Sequence, residues 1–326
     1  MSRAWASRGP AASVKACPGW PSRASSSATS ELAGCVHDAV IAWFRDRARD
    51  LPWRSPDRRP WGVLVSEVML QQTPVARVEP VWRAWMDRWP QPADLAAAEP
   101  GEAIRVWGRL GYPGRALRLH TAACAIVDRH GGAVPDSYHD LRALPGVGDY
   151  TAAATAVFAF GHRHVVLDTN VRRVLARAVA GVARPPLTTT ATERRRAEAL
   201  MPGDAGTAAT WAVAVMELGA LVCTARSPHC DECPLAAGCA WRLAGAPDYP
   251  GPVRRGQSWA GTDRQARGRL MAVLRGDERI VDKARLDEAW PGDPAQRERA
   301  LDALVADGLV EPLADGRYRL PVGRAT

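Results

Sequence analysis

Four cysteines lie close together in the C-terminal half of the chain. Cys223, Cys230, Cys233 and Cys239 follow the spacing Cys-x6-Cys-x2-Cys-x5-Cys. Thiolates gathered this tightly repel each other unless a cation neutralises them, and an all-cysteine site selects zinc or an iron–sulfur cluster. Zinc ribbons usually carry two Cys-x2-Cys pairs separated by a longer loop, whereas this array has one pair and only local ligands. The spacing therefore favours a cluster over zinc, and disulfides are the weaker interpretation because nothing marks the chain as secreted.

A Gly-x-Gly turn separates two predicted helices in the middle of the chain. Gly146 and Gly148 stand in the segment Leu-Pro-Gly-Val-Gly-Asp-Tyr-Thr at 144–151. Paired glycines let the backbone turn tightly and leave amides exposed, and amides at a helix N-terminus bind phosphate. A plain helix–helix turn is the alternative. The apolar residues before the turn and the small-residue helix after it favour a helix-hairpin-helix.

An acidic residue stands at the start of a later predicted helix. Asp168 lies in the segment Val-Leu-Asp-Thr-Asn-Val-Arg-Arg at 166–173. Considered locally, an aspartate in this position is more often an N-cap than a catalytic group. We expect Arg172 and Arg173, in the first turns of that helix, and the run Arg194–Arg196 to include phosphate contacts. A solvated helix face is an equally good interpretation of the run Arg194–Arg196.

Helices must position these residues. From Glu31 to Asp248 apolar residues recur at three- and four-residue spacing with short Gly and Pro interruptions, and strand signals are scarce. The pattern predicts a mainly α fold. The predicted helices are Leu32–Arg49, Trp61–Leu70, Val75–Asp87, Arg115–Arg129, Asp149–Phe160, Val171–Val179 and Ala208–Leu221.

The ends of the chain differ from its helical middle. Residues 1–30 lack Asp and Glu and are rich in Ser, Ala, Pro and Arg, so we expect a disordered extension. Residues 249–262 are rich in Pro, Gly, Arg and Ser, which predicts a linker. Residues 263–326 follow with helix, short helix, longer helix and two strand-like segments around Asp315-Gly316. That order predicts a small C-terminal winged-helix-like module.

Composition limits the partners. The 326 residues carry a formal net charge of +8, which favours a polyanionic partner but does not require one. No apolar run approaches the ~20 residues needed to span a bilayer, so we expect a soluble protein with no membrane partner. We also expect a monomer.

The hairpin, the Val-Leu-Asp-x-Asn-Val segment and the cysteine array together resemble the endonuclease III superfamily of helix-hairpin-helix DNA glycosylases over residues 31–248. The resemblance implies a six-helix barrel facing an iron–sulfur helical module, with DNA across the cleft. It also implies that Asp168 is the essential aspartate and that the four cysteines hold a [4Fe–4S] cluster.

Further motifs are similar to the adenine glycosylase branch of that superfamily. They are Leu-Pro-Trp-Arg at 51–54, Leu-Val-Ser-Glu-Val-Met-Leu-Gln-Gln-Thr at 64–73 and Leu-Gly-Tyr at 110–112. The resemblance implies that Glu67 is catalytic and that Gln71, Gln72 and Tyr112 contact or wedge the opened duplex.

Lysine usage gives an independent test of the reaction type. Glycosylases that also cut the strand need an amine nucleophile, but Lys15 and Lys283 are the only lysines of the chain. The lyase branch carries its lysine in the hairpin, where this chain has Tyr150. We therefore expect simple hydrolysis of the glycosidic bond.

The substrate expected from the resemblance is duplex DNA with adenine mispaired with 8-oxoguanine or guanine. The adenine must be flipped out, protonated at N7 by Glu67 in an apolar pocket, and released while the Asp168 carboxylate stabilises the cationic sugar. Asn170 would orient water or Asp168. Tyr150 would shield the site, although a helix-packing aromatic is nearly as good an interpretation.

Two other functions stay open from the sequence. A thymine or uracil mismatch glycosylase on the same scaffold would not need Glu67, and a non-enzymatic cluster-containing DNA-binding regulator would need neither acid. Many adenine glycosylases read 8-oxoguanine with a Phe-Ser-His loop in a C-terminal domain. After Gly251 this sequence has no Phe or His, so reading of the opposite base is unexplained.

Overall fold

The structure is a computed structural model that describes residues 26–251, 259–276 and 279–323, with side chains described from Gly34 onward. Most of the predicted disordered extension and about half of the predicted linker lie outside the described residues. Residues 26–30, which we expected to belong to that extension, begin the first helix instead.

The predicted mainly α fold is confirmed, because helices account for most of the described residues. In chain order they are α1 (Ser26–Arg47), α2 (Pro60–Met69), α3 (Val75–Arg88), α4 (Pro92–Ala96), α5 (Pro100–Trp107), α6 (Gly114–His130), α7 (Tyr138–Arg142), α8 (Asp149–Phe160), α9 (Thr169–Ala178), α10 (Ala191–Ala199), α11 (Ala205–Leu221), α12 (Ala240–Leu243), α13 (Asp263–Leu274), α14 (Lys283–Ala289) and α15 (Pro294–Ala306).

The sequence predicts the long helices well and misses short ones. Helix α8 has its predicted ends, and the other six predicted helices are present with ends shifted by up to six residues. Helices α4, α5, α10 and α12 were not predicted, and the helix predicted before the Gly-x-Gly turn was given no bounds. Each has nine residues or fewer, which is too short for a period of 3.6 residues to stand out.

The described residues form two compact units, each made of two chain segments. The first unit takes residues up to Arg59 and Asp149–Pro252, and so contains α1 and α8–α12. Helix α11 packs against α9 and α1. The core of this unit includes Val40, Val174 and Leu218.

The second unit takes Pro60–Gly148 and the residues after Val253. Its helices α2–α7 enclose a tryptophan-rich core. The ring centroid of Trp85 lies 4.7 Å from that of Trp89 and 5.8 Å from that of Trp107, and both pairs are T-shaped. Edge-to-face packing of this kind adds to the stabilisation from burial.

The C-terminal part of the second unit has the predicted winged-helix-like arrangement. In chain order, α13 is followed by strand β1 (Ile280–Val281), then by α14 and α15, and then by strands β2 (Glu311–Pro312) and β3 (Tyr318–Arg319). The three short strands form an antiparallel sheet in the order β1-β3-β2. Strand β1 was not predicted, because two residues carry no alternation signal. None of the helices formed by the described residues is long and apolar enough to cross a membrane.

Gly101 lets this C-terminal part pack against the helices of the same unit. The amide of Gly101 donates a 2.7 Å hydrogen bond to the carbonyl of Pro321. A Cβ atom at Gly101 would lie 2.8 Å from that carbonyl oxygen and from the Cβ of Leu320, so only glycine fits. The structure thus groups residues after 253 with 60–148, while an independent module at 263–326 stays a prediction.

Candidate functional site

Asp168 lies at the N-terminus of α9, where both of its carboxylate oxygens accept hydrogen bonds. Its Oδ1 accepts from the amide of Val171 at 2.6 Å, and its Oδ2 accepts from Nδ2 of Asn170 at 2.7 Å. Burial raises the pKa of Asp168, and these hydrogen bonds and the charge of Arg173 oppose the rise only in part. The residue is thus an N-cap and also a half-buried carboxyl group in a polar setting.

Arg173 connects the Asp168 segment to the cysteine loop. Its Nη2 donates to Oδ1 of Asn170 at 2.8 Å and to the carbonyl of Gly219 at 2.6 Å, and its Nε donates to the carbonyl of Cys223 at 2.6 Å. Gly219 permits this arrangement, because a Cβ there would lie 2.7 Å from the Cβ of Asn170. Sequence reasoning missed Gly219. The feature that explains this glycine is the close approach of α11 to α9, which only the structure shows.

The contacts of Arg172 and Arg173 do not support the prediction that they bind phosphate. Arg172 forms an ion pair with Glu193 at 2.9 Å, and its Nη2 also donates to the carbonyls of Pro186 and Thr188. Its side chain is only 10% exposed. Both guanidinium groups therefore hold loops of their own unit in place, whereas Arg194 and Arg195 are exposed and stay candidates.

The four cysteines lie in the irregular segment after α11. All four are half-buried, and the segment contains two short 3₁₀ helices, Cys230–Glu232 and Ala236–Gly238. Burial raises the pKa of Cys233 to about 12, and the other three thiols act in the same direction. This mutual effect is the repulsion that a bound cationic centre would relieve.

A buried guanidinium lies beside the cysteine array. Arg177 donates from Nη1 to Sγ of Cys223 at 3.5 Å and to the carbonyl of Thr224 at 2.7 Å, and its guanidinium lies 4.8 Å from the ring centroid of Trp241. A positive charge and an N–H donor at a ligand sulfur stabilise an anionic iron–sulfur centre. Four thiols with such a neighbour therefore fit the predicted cluster.

Glu67 is a carboxyl group on a buried and mainly apolar helix. Nine of the ten residues of α2 are buried, and Glu67 itself is 5% exposed. Its helix neighbours Leu64 and Val68 are buried as well.

Two exposed loop residues have strained backbones. Gln72 (φ 54°) and Tyr112 (φ 48°) lie in the left-handed region, which non-glycine residues rarely adopt. Arg115 joins their loops, because it donates to the carbonyl of Gln71 and its guanidinium lies 4.7 Å from the Tyr112 ring centroid. Backbone strain at exposed loop residues that neighbouring side chains hold in place is typical of functional positions.

The predicted hairpin is present between α7 and α8. The amide of Val147 donates to the carbonyl of Leu144 at 3.1 Å to close the turn. Gly146 has φ 74°, and a Cβ there would lie 2.6 Å from the Cβ of Arg118. Gly146 and Gly148 are exposed, and Tyr150 is half-buried in the first turn of α8.

The predicted site residues are divided between the two units. Tyr150, Asp168, Asn170 and the cysteines belong to the first unit. Glu67, Gly146 and Gly148 belong to the second unit. So do Gln71, Gln72 and Tyr112, called the wedge residues below, which lie on the two wedge loops, 70–74 and 108–113.

Sequence reasoning missed a set of arginines around the loops that carry Gln72 and Tyr112. Five of the arginines on or next to these loops form no ion pair within the described residues. Sequence cannot separate paired from unpaired arginines, because pairing depends on tertiary neighbours. These residues are Arg77, Arg109, Arg115, Arg118 and Arg264.

Comparison with known families agrees with this geometry. Residues 65–200 match the HhH-GPD superfamily base excision DNA repair protein family, and residues 223–239 match the iron–sulfur binding domain of endonuclease III. The chain is 53% identical to an adenine DNA glycosylase of Mycobacterium tuberculosis, over 86% of this chain and 92% of that protein. The chain belongs to the HhH-GPD superfamily of base excision DNA repair proteins, and the predicted [4Fe–4S] cofactor is confirmed.

More distant relatives carry two substrate names on the same scaffold. The chain is 41% identical to the human adenine DNA glycosylase over 62% of this chain and 38% of that protein. It is 36% identical to a thymine/uracil-DNA glycosylase of Pyrobaculum aerophilum over 61% and 87%. A solved thermostable thymine-DNA glycosylase aligns with a TM-score of 0.60 and 26% identity, covering 67% of this chain and 99% of that one.

Proposed function

We propose that this protein is a monofunctional DNA glycosylase that hydrolyses the N-glycosidic bond of adenine in duplex DNA. The observation that carries the proposal is Glu67, a carboxyl group 5% exposed on the apolar helix α2. Excision of adenine needs a proton donor, and a buried carboxyl group is suited to that task. The 53% identity to a mycobacterial adenine DNA glycosylase supports the same substrate.

Glu67 is proposed to protonate N7 of the flipped adenine. Adenine leaves poorly as an anion, and a proton at N7 lets it depart as a neutral base. The proton donor must be protonated before the bond breaks, and apolar surroundings favour that state. Glu67 is therefore the general acid, and the reaction needs a second group for the sugar.

Asp168 is proposed to stabilise the oxocarbenium-like sugar as the base leaves. A carboxylate near the anomeric carbon can stabilise this cation or trap it briefly before water attacks. Asn170 donates to Oδ2 of Asp168 at 2.7 Å, which fixes the carboxylate and keeps Asn170 as a positioning residue. Tyr150 is proposed to shield the site from bulk water.

The cluster is proposed to support the cysteine loop and carries no redox step in this hydrolysis. The four cysteines would hold it, and Arg177 would partly neutralise its charge. The chain supplies the rest of the chemistry through its carboxyl groups.

The contacts of Lys283 support the proposal that the reaction has no lyase step. Partial burial lowers the pKa of Lys283, but hydrogen bonds to Asp287 and Glu298 outweigh this effect and raise it. A protonated lysine held by two carboxylates cannot attack a sugar carbon. Lys15, the other lysine of the chain, lies outside the described residues.

The DNA contacts proposed for the second unit are the wedge loops and the hairpin. Gln72 and Tyr112 would occupy the space left by the flipped base, and the exposed backbone at Gly146 and Gly148 would bind phosphate. Gln71 lies at the base of the first loop. We infer a monomer that acts on adenine opposite 8-oxoguanine or guanine, in the cytoplasm at the nucleoid.

The test is to offer the purified protein duplexes with A·8-oxoG, A·G, T·G and U·G pairs and to identify the released base. We expect adenine from the first two duplexes and no product from the others. Release of thymine or uracil would instead support the function named for the Pyrobaculum relative.

A further inference from the structure

An exposed strip of aromatic and cationic side chains runs beside the wedge loop of the second unit. The guanidinium of Arg264, at the start of α13, lies 5.1 Å from the ring centroid of Tyr112 and 5.4 Å from that of Trp259. Tyr112 is 47% and Trp259 53% exposed. The strip, Tyr112–Arg264–Trp259, joins the wedge loop to the C-terminal part of the same unit.

The backbone that carries Trp259 is held firmly although the ring is exposed. The hydroxyl of Thr262 donates to the carbonyl of Trp259 at 2.8 Å and also caps α13 by accepting from the amide of Gln265. The indole lies over Gly268, where a Cβ would come 3.8 Å from its Cη2 atom.

A further contact anchors the same turn to α15. Gln296 donates from Nε2 to the carbonyl of Gly261 at 3.0 Å and to Oδ1 of Asp263 at 2.8 Å. An exposed aromatic ring on a fixed backbone is suited to stacking, because little conformational freedom is lost on binding.

The positive charge of the arginines around the strip favours an anionic ligand. Arg264 and Arg115 both lie against the Tyr112 ring, and neither forms an ion pair within the described residues. Arg118 adds a further charge without an ion pair among the described residues, and burial together with this charge lowers the pKa of Arg115. Like charges at short range disfavour each other, and a phosphate backbone would relieve the repulsion.

We propose that the Tyr112–Arg264–Trp259 strip binds the strand opposite the excised base and reads the purine that was paired with it. Trp259 stacks on a base of that strand, as exposed aromatics do in single-strand binding. Arg264 donates to O6, an acceptor that guanine and its oxidised form share and one of the two guanine atoms that arginine commonly contacts in DNA. The inference rests on the proposed function in one respect, because it takes adenine as the excised base and the mispaired purine as the base on the opposite strand.

The test compares binding of full-length variants to duplexes that cannot be cleaved. Each duplex carries 2′-fluoro-adenosine as the target, opposite 8-oxoguanine, guanine or thymine, and dissociation constants are measured by fluorescence anisotropy. The variants are Trp259→Ala, Trp259→Phe and Arg264→Ala. The matched control is Arg269→Ala, an exposed arginine five residues along the same helix and so on another face.

We expect Trp259→Ala to weaken binding to every duplex by ~10-fold, and Trp259→Phe to stay within ~3-fold of wild type because it keeps an aromatic face. Arg264→Ala should reduce the preference for an opposite purine over thymine by ~10-fold. Arg269→Ala should change neither affinity nor preference by more than ~2-fold. Thermal unfolding of each variant checks that the fold is intact.

Binding losses no larger than those of Arg269→Ala would overturn the proposal. So would a loss in Arg264→Ala that is equal for all three duplexes, because it would report charge alone. The released base of wild type is determined separately on cleavable duplexes. Failure to release adenine would refute the proposed function while leaving the opposite-base comparison valid.

Discussion

At the residue scale, Asp168 shows that a structural and a catalytic assignment need not compete. The capping bond from Val171 uses Oδ1, and the bond from Asn170 uses Oδ2. Each carboxylate oxygen has a second lone pair that neither of these bonds uses. The N-cap fixes the carboxylate at the end of α9, which is the preorganisation that stabilisation of a cationic sugar requires.

Replacing Glu67 by Gln should slow excision of adenine by at least ~10²-fold in a single turnover, because the amide keeps the shape but cannot donate a proton to N7. Binding to the mispair should persist. The measurement is the single-turnover rate with enzyme in excess, alongside affinity for an uncleavable duplex. Near wild-type excision would remove Glu67 from the mechanism.

Replacing Asp168 by Asn should abolish excision and leave stability within ~1 kcal/mol of wild type, because asparagine is as good an N-cap as aspartate. Aspartate contributes the charge that the transition state needs, and asparagine does not. Chemical denaturation and single-turnover assays test both parts. A large loss of stability would mean that the activity loss reports misfolding.

The rate should depend on pH through Asp168, because only its ionised form stabilises the cation. Burial raises the pKa of Asp168, so the rate should fall as pH drops through that raised value. Asn170→Ala removes a hydrogen bond to the carboxylate and should move this acid limb to higher pH. The single-turnover rate of both proteins is measured across pH, and an unmoved limb would contradict the assigned contact.

At the scale of elements, the two wedge loops are strained and tied together. Arg115 bridges them, and Arg77 donates to the carbonyl of Arg109 at the base of the second loop. The left-handed backbones of Gln72 and Tyr112 are thereby imposed by their surroundings. An exposed side chain on a backbone that its neighbours hold in place is suited to enter a duplex, because the backbone does not shift when the side chain meets DNA.

The strain can be measured by replacing Gln72 with Gly and with Ala. Both changes delete the side chain and should reduce binding to the mispair equally. The alanine keeps a Cβ in the left-handed region, which costs about 1 kcal/mol relative to glycine. We expect the glycine variant to be the more stable in chemical denaturation, against the usual order, and equal or reversed stabilities would show that the backbone is unstrained.

At the scale of the whole molecule, each unit is assembled from distant segments of the chain. Glu217 on α11 joins the segments of the first unit, since it accepts from Arg49 at 2.7 Å and from Arg54 at 2.9 Å. Its side chain is fully buried. Burial alone would raise the pKa of Glu217, but the two arginines lower it from 4.5 to about 2.

Acid should destabilise the first unit through this group. A lowered folded-state pKa means that the stabilisation is complete above pH 4.5 and is lost as pH falls toward about 2. The loss corresponds to about 3 kcal/mol. Glu217→Gln should lower the free energy of unfolding at neutral pH by ~3–5 kcal/mol, because two half-buried arginines lose their buried partner. Urea denaturation at several pH values tests this, and a variant with the wild-type acid profile would contradict it.

The sequence by itself determined the class of the protein and most of its helices. Motifs that depend on local spacing were readable: the cysteine array, the Gly-x-Gly turn that forms the hairpin, and Asp168 at a helix start. Long helices were readable for the same reason, since a periodic pattern repeats several times within one element. The order of helices and strand-like segments after 262 was enough to predict the winged-helix-like arrangement.

Only the tertiary structure decided which polar groups are engaged and which are left for a ligand. Arg172 and Arg173 look like phosphate contacts in the sequence, yet they hold loops in place, while the exposed Arg264 lies beside Tyr112 without an ion pair in the described residues. Close approaches such as Gly219 to Asn170 also have no local signal. The physical reason is that ion pairing, desolvation and steric fit depend on neighbours that are distant in the chain, which spacing along a sequence does not encode.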